Sequence, residues 1–150
     1  MSNKTAGYLF VIAQFALLYA IFVIAIDEPT PPVLYYTGAA LIVIGLGLVL
    51  LAGIQLGQSL TANPVPKEKA QLVRTGLYGN VRHPIYTGLL IATLGSVVQQ
   101  PAPVKIGFWL LFILLIWNKA KFEERLLSQK FSDYGAYTKA SGRFFPRIGK

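Results

Sequence analysis

The chain has no cysteine among its 150 residues. That excludes disulfides, thiolate metal sites and thiol nucleophiles together. It has one histidine, His83, and six acidic residues, too few for an evident metal site, and no metal is expected. Charge is scarce as well. Only 13% of the residues are charged, against 54% hydrophobic, and so few charges cannot cover a water-facing surface in the usual way. The charge present is mostly basic, with 14 Lys and Arg and a net charge of +8. In an apolar chain such an excess reports orientation and contact with anionic lipid, not binding of nucleic acid.

Long apolar runs take the place of the missing charge. Gly7–Ile26 carries no charge and has the length needed to cross a hydrocarbon core of about 30 Å. It is long for a cleaved signal peptide, and Ala25-Ile26-Asp27 is a poor cleavage site. Pro29, Pro31 and Pro32 break the pattern, and Val33–Ile54 forms a second uncharged run. Its Gly38, Gly45, Gly47 and Gly53, with Gly57 beyond, are read as surfaces for close helix packing. Pro84–Val98 is a third apolar segment, with Gly88, Ala92 and Ser96 on one smooth face. Ile106–Trp117 is a fourth, short for a span by itself, with Trp109 and Trp117 suited to interfaces and Lys119 and Lys121 free to snorkel. Segments three and four read as a hairpin, with a re-entrant pair as the alternative.

Helical pattern continues through Lys119–Lys130, and Ser132-Asp133 offers a new helix start. The basic, aromatic tail Arg143-Phe144-Phe145-Pro146-Arg147 suits a membrane surface. The expected architecture is therefore an all-α polytopic membrane bundle of about four spans with a C-terminal helical tail. It forms a single domain: residues 1–54 make two scaffold spans and residues 55–150 the functional core. With four crossings, 13 of the 14 Lys and Arg fall on one side and only Lys105 on the other. The positive-inside rule then puts both termini and the 55–83 loop in the cytoplasm, at the inner membrane.

The segment Leu72–Gly88, LVRTGLYGNVRHPIYTG, is where chemistry is expected. Proline is at home in the first turn of a helix, and it biases the residue before it away from helical geometry. A helix is therefore expected to start at Pro84, with its positive end, its free N–H groups and Arg82 favouring an anion. Gly76 and Gly79 allow sharp turns, and Tyr78 and Tyr86 supply ring faces and hydroxyls. The same residues also fit a plain helix start whose arginine meets lipid phosphate. Glu123-Glu124 is the second candidate. Adjacent helical residues point about 100° apart, so one carboxylate is free to face the loop while the other pairs with Lys119 or Lys121. A solvated helix face is the alternative.

The run TGLYGNVRHPIYTG is preceded by Asn63-Pro64-Val65-Pro66 and Leu72-Val73. It is followed in order by Glu123-Glu124-Arg125-Leu126, Phe131, Tyr134, Tyr137 and Arg143-Phe144-Phe145-Pro146. This set resembles the core of the isoprenylcysteine carboxyl methyltransferase and phospholipid methyltransferase superfamily, over roughly residues 56–147. The resemblance implies S-adenosylmethionine as methyl donor, bound on the cytoplasmic side. It implies a cofactor pocket formed with Tyr78, Arg82, His83, Pro84, Tyr86, Gly88, Glu123 and Glu124. It places Arg143 near cofactor and substrate, so that Arg143 and His83 are the candidate catalytic residues.

Methyl transfer from a sulfonium needs alignment and a dry environment. A carboxylate acceptor needs no base, because charge disappears along the reaction path. An amine acceptor must lose a proton, and His83 is the candidate base. The resemblance leans to a lipidic or small carboxylate, with a phosphatidylethanolamine-type amine as the alternative. A nicotinamide-dependent membrane reductase ranks lower, since no second phosphate-binding glycine motif is present. A non-catalytic protein that binds lipid or a partner is the remaining reading.

Overall fold

Three helices are long and apolar enough to cross a membrane. They are α1 (Asn3–Val23), α2 (Pro32–Leu56) and α4 (Pro103–Lys130). Between α2 and α4 lies α3 (Pro84–Gln99), and a short α5 (Tyr134–Ala140) follows. The computed structural model describes residues 2–24 and 29–147, and among them there is no strand beyond an isolated bridge between Val81 and Gly142. Ala25-Ile26-Asp27-Glu28, where the first apolar run ends, lies outside the described residues.

The helix boundaries follow local chemistry. Ser2 accepts a hydrogen bond from the Thr5 N–H at 3.1 Å and starts α1. Proline opens α2, α3 and α4, where its missing N–H costs nothing. Gly57 ends α2 at φ +53°, a conformation glycine adopts without a Cβ penalty. Asp133 caps α5 by position, but its side chain makes no capping hydrogen bond.

The fourth apolar segment, expected to be short, is part of the 28-residue α4, and the short element is the third. With 16 residues, α3 rises about 24 Å, and it is the most buried of the apolar helices because it packs flat against α2. The two helices meet backbone to backbone through two glycine pairs. A Cβ on Gly38 would stand 2.5 Å from the Gly95 carbonyl oxygen, and one on Gly45 would stand 2.5 Å from the Gly88 carbonyl oxygen. Both pairs are seven residues apart along antiparallel helices, so the same stripe recurs after two turns. Gly47 and Gly57 have open space around them, and Gly53 meets only Leu60. The packing expected of all five glycines thus belongs to two. Ser96 leaves the smooth face as well and donates to the Ile21 carbonyl on α1 at 3.0 Å.

The other half of the bundle is α1 against α4. Ile21, Phe112, Ile116 and Ala120 form its core and continue into Tyr86 and Phe144. Outward-facing apolar side chains such as Ile12, Tyr19, Val43 and Leu50 are largely exposed, as lipid-facing residues are.

Two lysines turn inward. Lys119 does not snorkel. It is 1% exposed, donating to Gln14 Oε1 at 2.6 Å and to the Ala62 carbonyl at 2.9 Å. Lys105 is buried too and donates to Gln100 Oε1 at 2.9 Å. Contacts of Gly7 with Asn63 and of Gln14 with Lys119 bring α1 to the loop after α2. The loop, the start of α3, the end of α4, α5 and the tail therefore assemble at one end of the bundle.

Candidate functional site

The chain's polar residues concentrate at that end. A helix does begin at Pro84, and His83 precedes it in non-helical geometry at φ −125°. The segment before it turns through Gly76, at φ +59°, where a Cβ would strike the Gln55 side chain. Asn80–His83 then runs beside the tail. The Arg82 N–H donates to the Gly142 carbonyl at 2.8 Å and the His83 N–H to the Arg143 carbonyl at 3.1 Å. This short parallel ladder pins the tail over the helix start. It corrects the expectation of a tail lying whole on the membrane surface: Phe144 is buried in the core, while Phe145, Pro146 and Arg147 are exposed.

The anion expected at the cationic corner is supplied by the chain itself. Glu124 Oε1 accepts from Arg82 Nε at 2.9 Å and lies 3.2 Å from His83 Nε2. Arg143 grips the same carboxylate with Nε at 3.1 Å from each oxygen and Nη2 at 2.5 Å from Oε2. Such paired, charge-assisted bonds are among the strongest a side chain makes. Arg82 also donates through Nη1 to the carbonyls of Thr138 and Ser141. Arg143 lies over the Trp117 ring, 4.8 Å from its centroid.

Glu123 faces elsewhere, as the helical turn requires. Its Oε2 accepts from the Tyr86 hydroxyl at 2.7 Å and lies 3.9 Å from His83 Nδ1. The two carboxylates thus take different partners, and neither forms an ion pair with Lys119 or Lys121. His83 sits between them, 6% exposed, its ring parallel to Tyr86 with centroids 5.2 Å apart. Because Glu124 is an acceptor, its bond to Nε2 requires hydrogen on that nitrogen and leaves Nδ1 toward Glu123.

Beside this cluster lies a cavity of about 430 Å³, within the range of small-molecule sites. Tyr78, Arg82, His83, Tyr86 and Glu123 line it, so five of the residues expected from the sequence share one space. Glu124 and Arg143 stand behind that wall and hold Arg82 and His83 in place. Pro84 is buried at the first turn of α3, and Gly88 is taken up by contact with α2.

The apolar side comes from the loop after α2, including Leu60, Pro64, Pro66 and Leu72, with Ile85, Leu127 and Phe131. The loop is held down by α4 and its neighbour. Lys119 holds the Ala62 carbonyl, Lys130 holds the carbonyls of Lys67 and Glu68, and Arg74 pairs with Asp133 at 2.7 Å.

Among the lining residues given no site role from sequence are Lys119, Tyr134 and Tyr137. The tyrosines belong to the ordered motif set, and their spacing of three puts them on one face of α5. The tyrosines outside the spans stay protonated at neutral pH. Burial pushes Tyr137 up to about 12, and burial, then Glu123, pushes Tyr78 higher still. Tyr137 donates to the Tyr78 carbonyl at 2.7 Å and Tyr78 to the Ala52 carbonyl at 3.3 Å. The Tyr134 hydroxyl is buried and has no partner among the described residues.

Fold and site together define a polytopic helical membrane protein with a ligand-sized cavity at the polar end of its bundle. The chain belongs to the phospholipid methyltransferase family, whose model matches residues 33–134. It is similar to the nickel-cobalt-cadmium resistance protein NccN of Alcaligenes xylosoxydans xylosoxydans. That likeness is 28% identity over 115 residues, covering 75% of this chain and 53% of the relative. It is also similar to the cobalt-zinc-cadmium resistance protein CzcN of Cupriavidus metallidurans, with 31% identity over 78 residues, 51% of this chain and 36% of the relative. The chain thus spans about half or less of the length of the curated relatives it matches. Among the described residues no group of three or more His, Asp and Glu stands together as a metal site.

Proposed function

We propose that this protein is an integral membrane methyltransferase that binds S-adenosylmethionine in the 430 Å³ cavity and methylates a lipidic acceptor at the inner face of the membrane. One observation carries the reading: in a chain of this family, His83, Tyr86 and Glu123 share one wall of a cavity that is otherwise mostly apolar. S-adenosylmethionine supplies an electrophilic methyl group carried on a sulfonium.

The residues present fit such a ligand. Glu123 keeps Oε1 without a hydrogen bond among the described residues and offers an anion to a cationic group. Tyr78, Tyr86 and His83 offer ring faces to a cation or a base. Glu124 fixes the imidazole, as a carboxylate does for a metal-bound or catalytic histidine. The loop over the cavity keeps water from the reacting groups. The lysine and arginine distribution supports cytoplasmic termini and a cytoplasmic cavity.

The acceptor suggested by the resemblance is a lipidic or small carboxylate. A second reading, an amine of the phosphatidylethanolamine type, is favoured by one specific feature. Arg82 and Arg143, the cations that would orient a carboxylate, are both engaged by Glu124. His83, meanwhile, keeps Nδ1 available to take a proton from an amine.

Calorimetry on the purified protein tests the donor site. S-adenosylmethionine should bind, and His83→Ala and Glu124→Ala should each weaken it; unchanged affinity in both variants would refute the site. Methyl-labelled donor with membranes containing the protein identifies the acceptor. Label released by mild base as methanol marks an ester, and label in a base-stable lipid marks an amine. No transfer to any fraction would defeat the enzymatic reading.

A further inference from the structure

Tyr134 opens α5, is 2% exposed, and lines the cavity. Its hydroxyl is buried without a hydrogen-bond partner among the described residues. A buried polar group in that state is costly, and folded proteins seldom leave one so. Its neighbours show the contrast. Tyr78, Tyr86 and Tyr137 line the same cavity, and each gives its hydroxyl to a protein oxygen. Lys119 does likewise with Gln14 and Ala62. Trp109 Nε1 is also buried without a partner, but Trp109 does not line the cavity.

Burial raises the Tyr134 hydroxyl well above the usual tyrosine range, with Glu124 adding to the effect and Arg82 opposing it. The group is therefore a neutral O–H donor at any physiological pH, without an acceptor among the described residues.

We propose that Tyr134 is a ligand-reading residue whose hydroxyl donates to an oxygen of the molecule held in the cavity. The proposal rests on the reading of that cavity as the S-adenosylmethionine site, a ligand rich in ribose and carboxylate oxygens. It names a specificity-determining residue, distinct from the His83–Glu124 cluster.

The test compares wild type, Tyr134→Phe and Tyr137→Phe as full chains in detergent. Calorimetry with S-adenosylmethionine and S-adenosylhomocysteine measures affinity, and thermal unfolding without ligand measures stability. Loss of one neutral hydrogen bond corresponds to about three- to ten-fold, so Tyr134→Phe should bind both nucleosides weaker by that factor. Its ligand-free unfolding temperature should not fall, because the variant removes an unpaired group. Tyr137→Phe should unfold at a lower temperature, because it leaves the Tyr78 carbonyl without its donor. Equal affinity of Tyr134→Phe and wild type overturns the proposal, as does a lowered ligand-free unfolding temperature in Tyr134→Phe. Failure of wild type itself to bind either nucleoside overturns the donor-site reading and this proposal with it.

Discussion

Glu123 and Glu124 are neighbours in sequence and do different work. Glu124 is nearly enclosed and bonds two guanidinium groups and an imidazole, so removing its charge strands cations that are themselves largely buried. Glu124→Gln should destabilise the folded protein by about 3 kcal/mol, measured by unfolding in detergent. Glu123→Gln keeps an oxygen for the Tyr86 hydroxyl, and its stability should stay within about 1 kcal/mol of wild type. Its affinity for S-adenosylmethionine should nevertheless fall about ten-fold, the loss of one charge-assisted contact. If the two variants lose stability equally, the division of roles is wrong.

The α2–α3 pair is held together by backbone contact more than by large side chains. α2 and α3 touch through Gly38 with Gly95 and Gly45 with Gly88. In lipid the hydrophobic effect does not drive helices together, and close approach supplies dispersion contacts instead. Gly45→Ala should therefore cost about 1–3 kcal/mol, because the new methyl meets the Gly88 carbonyl and the Ala92 N–H, which cannot rotate away. Gly47→Ala, one half-turn on, meets nothing within 4 Å and should leave stability unchanged. Parallel unfolding measurements on the two variants check the contrast. The same contact explains the depth of burial of α3: α2 covers one face and the α1–α4 pair another, so a helix of 16 residues stays inside.

Across the whole molecule, one lysine joins three parts. Lys119 on α4 bonds Gln14 on α1 and the Ala62 carbonyl in the loop over the cavity. Lys119→Met would leave both oxygens without a donor and loosen the loop, so limited proteolysis within residues 60–72 should quicken several-fold over wild type. Orientation belongs to this scale as well. The absence of cysteine makes single-cysteine labelling clean. Glu68→Cys should react from the cytoplasmic side of membrane vesicles and Pro101→Cys from the opposite side. Labelling of both from one side would contradict the proposed topology.

The helices were legible in the sequence because uncharged runs, proline starts and the polar extension of α4 act locally. Length and hydropathy name a span, and proline names its first turn, without knowledge of any neighbour. The cluster of candidate residues was legible only as a set, through the ordered motif. What each residue touches depended on the tertiary structure. A guanidinium seeks a carboxylate wherever the fold brings one, and here Glu124 arrives from 42 residues beyond Arg82 to fill a corner that by itself suggested an external anion. Lys119 reads as a snorkelling residue until α1 and the loop close around it. Tyr134 reads as one aromatic among several until the fold buries its hydroxyl without a partner among the described residues. Local chemistry determined the elements; the assembly of distant groups in a low-dielectric space decided which charges are paired and which buried hydroxyl is left without a partner among the described residues.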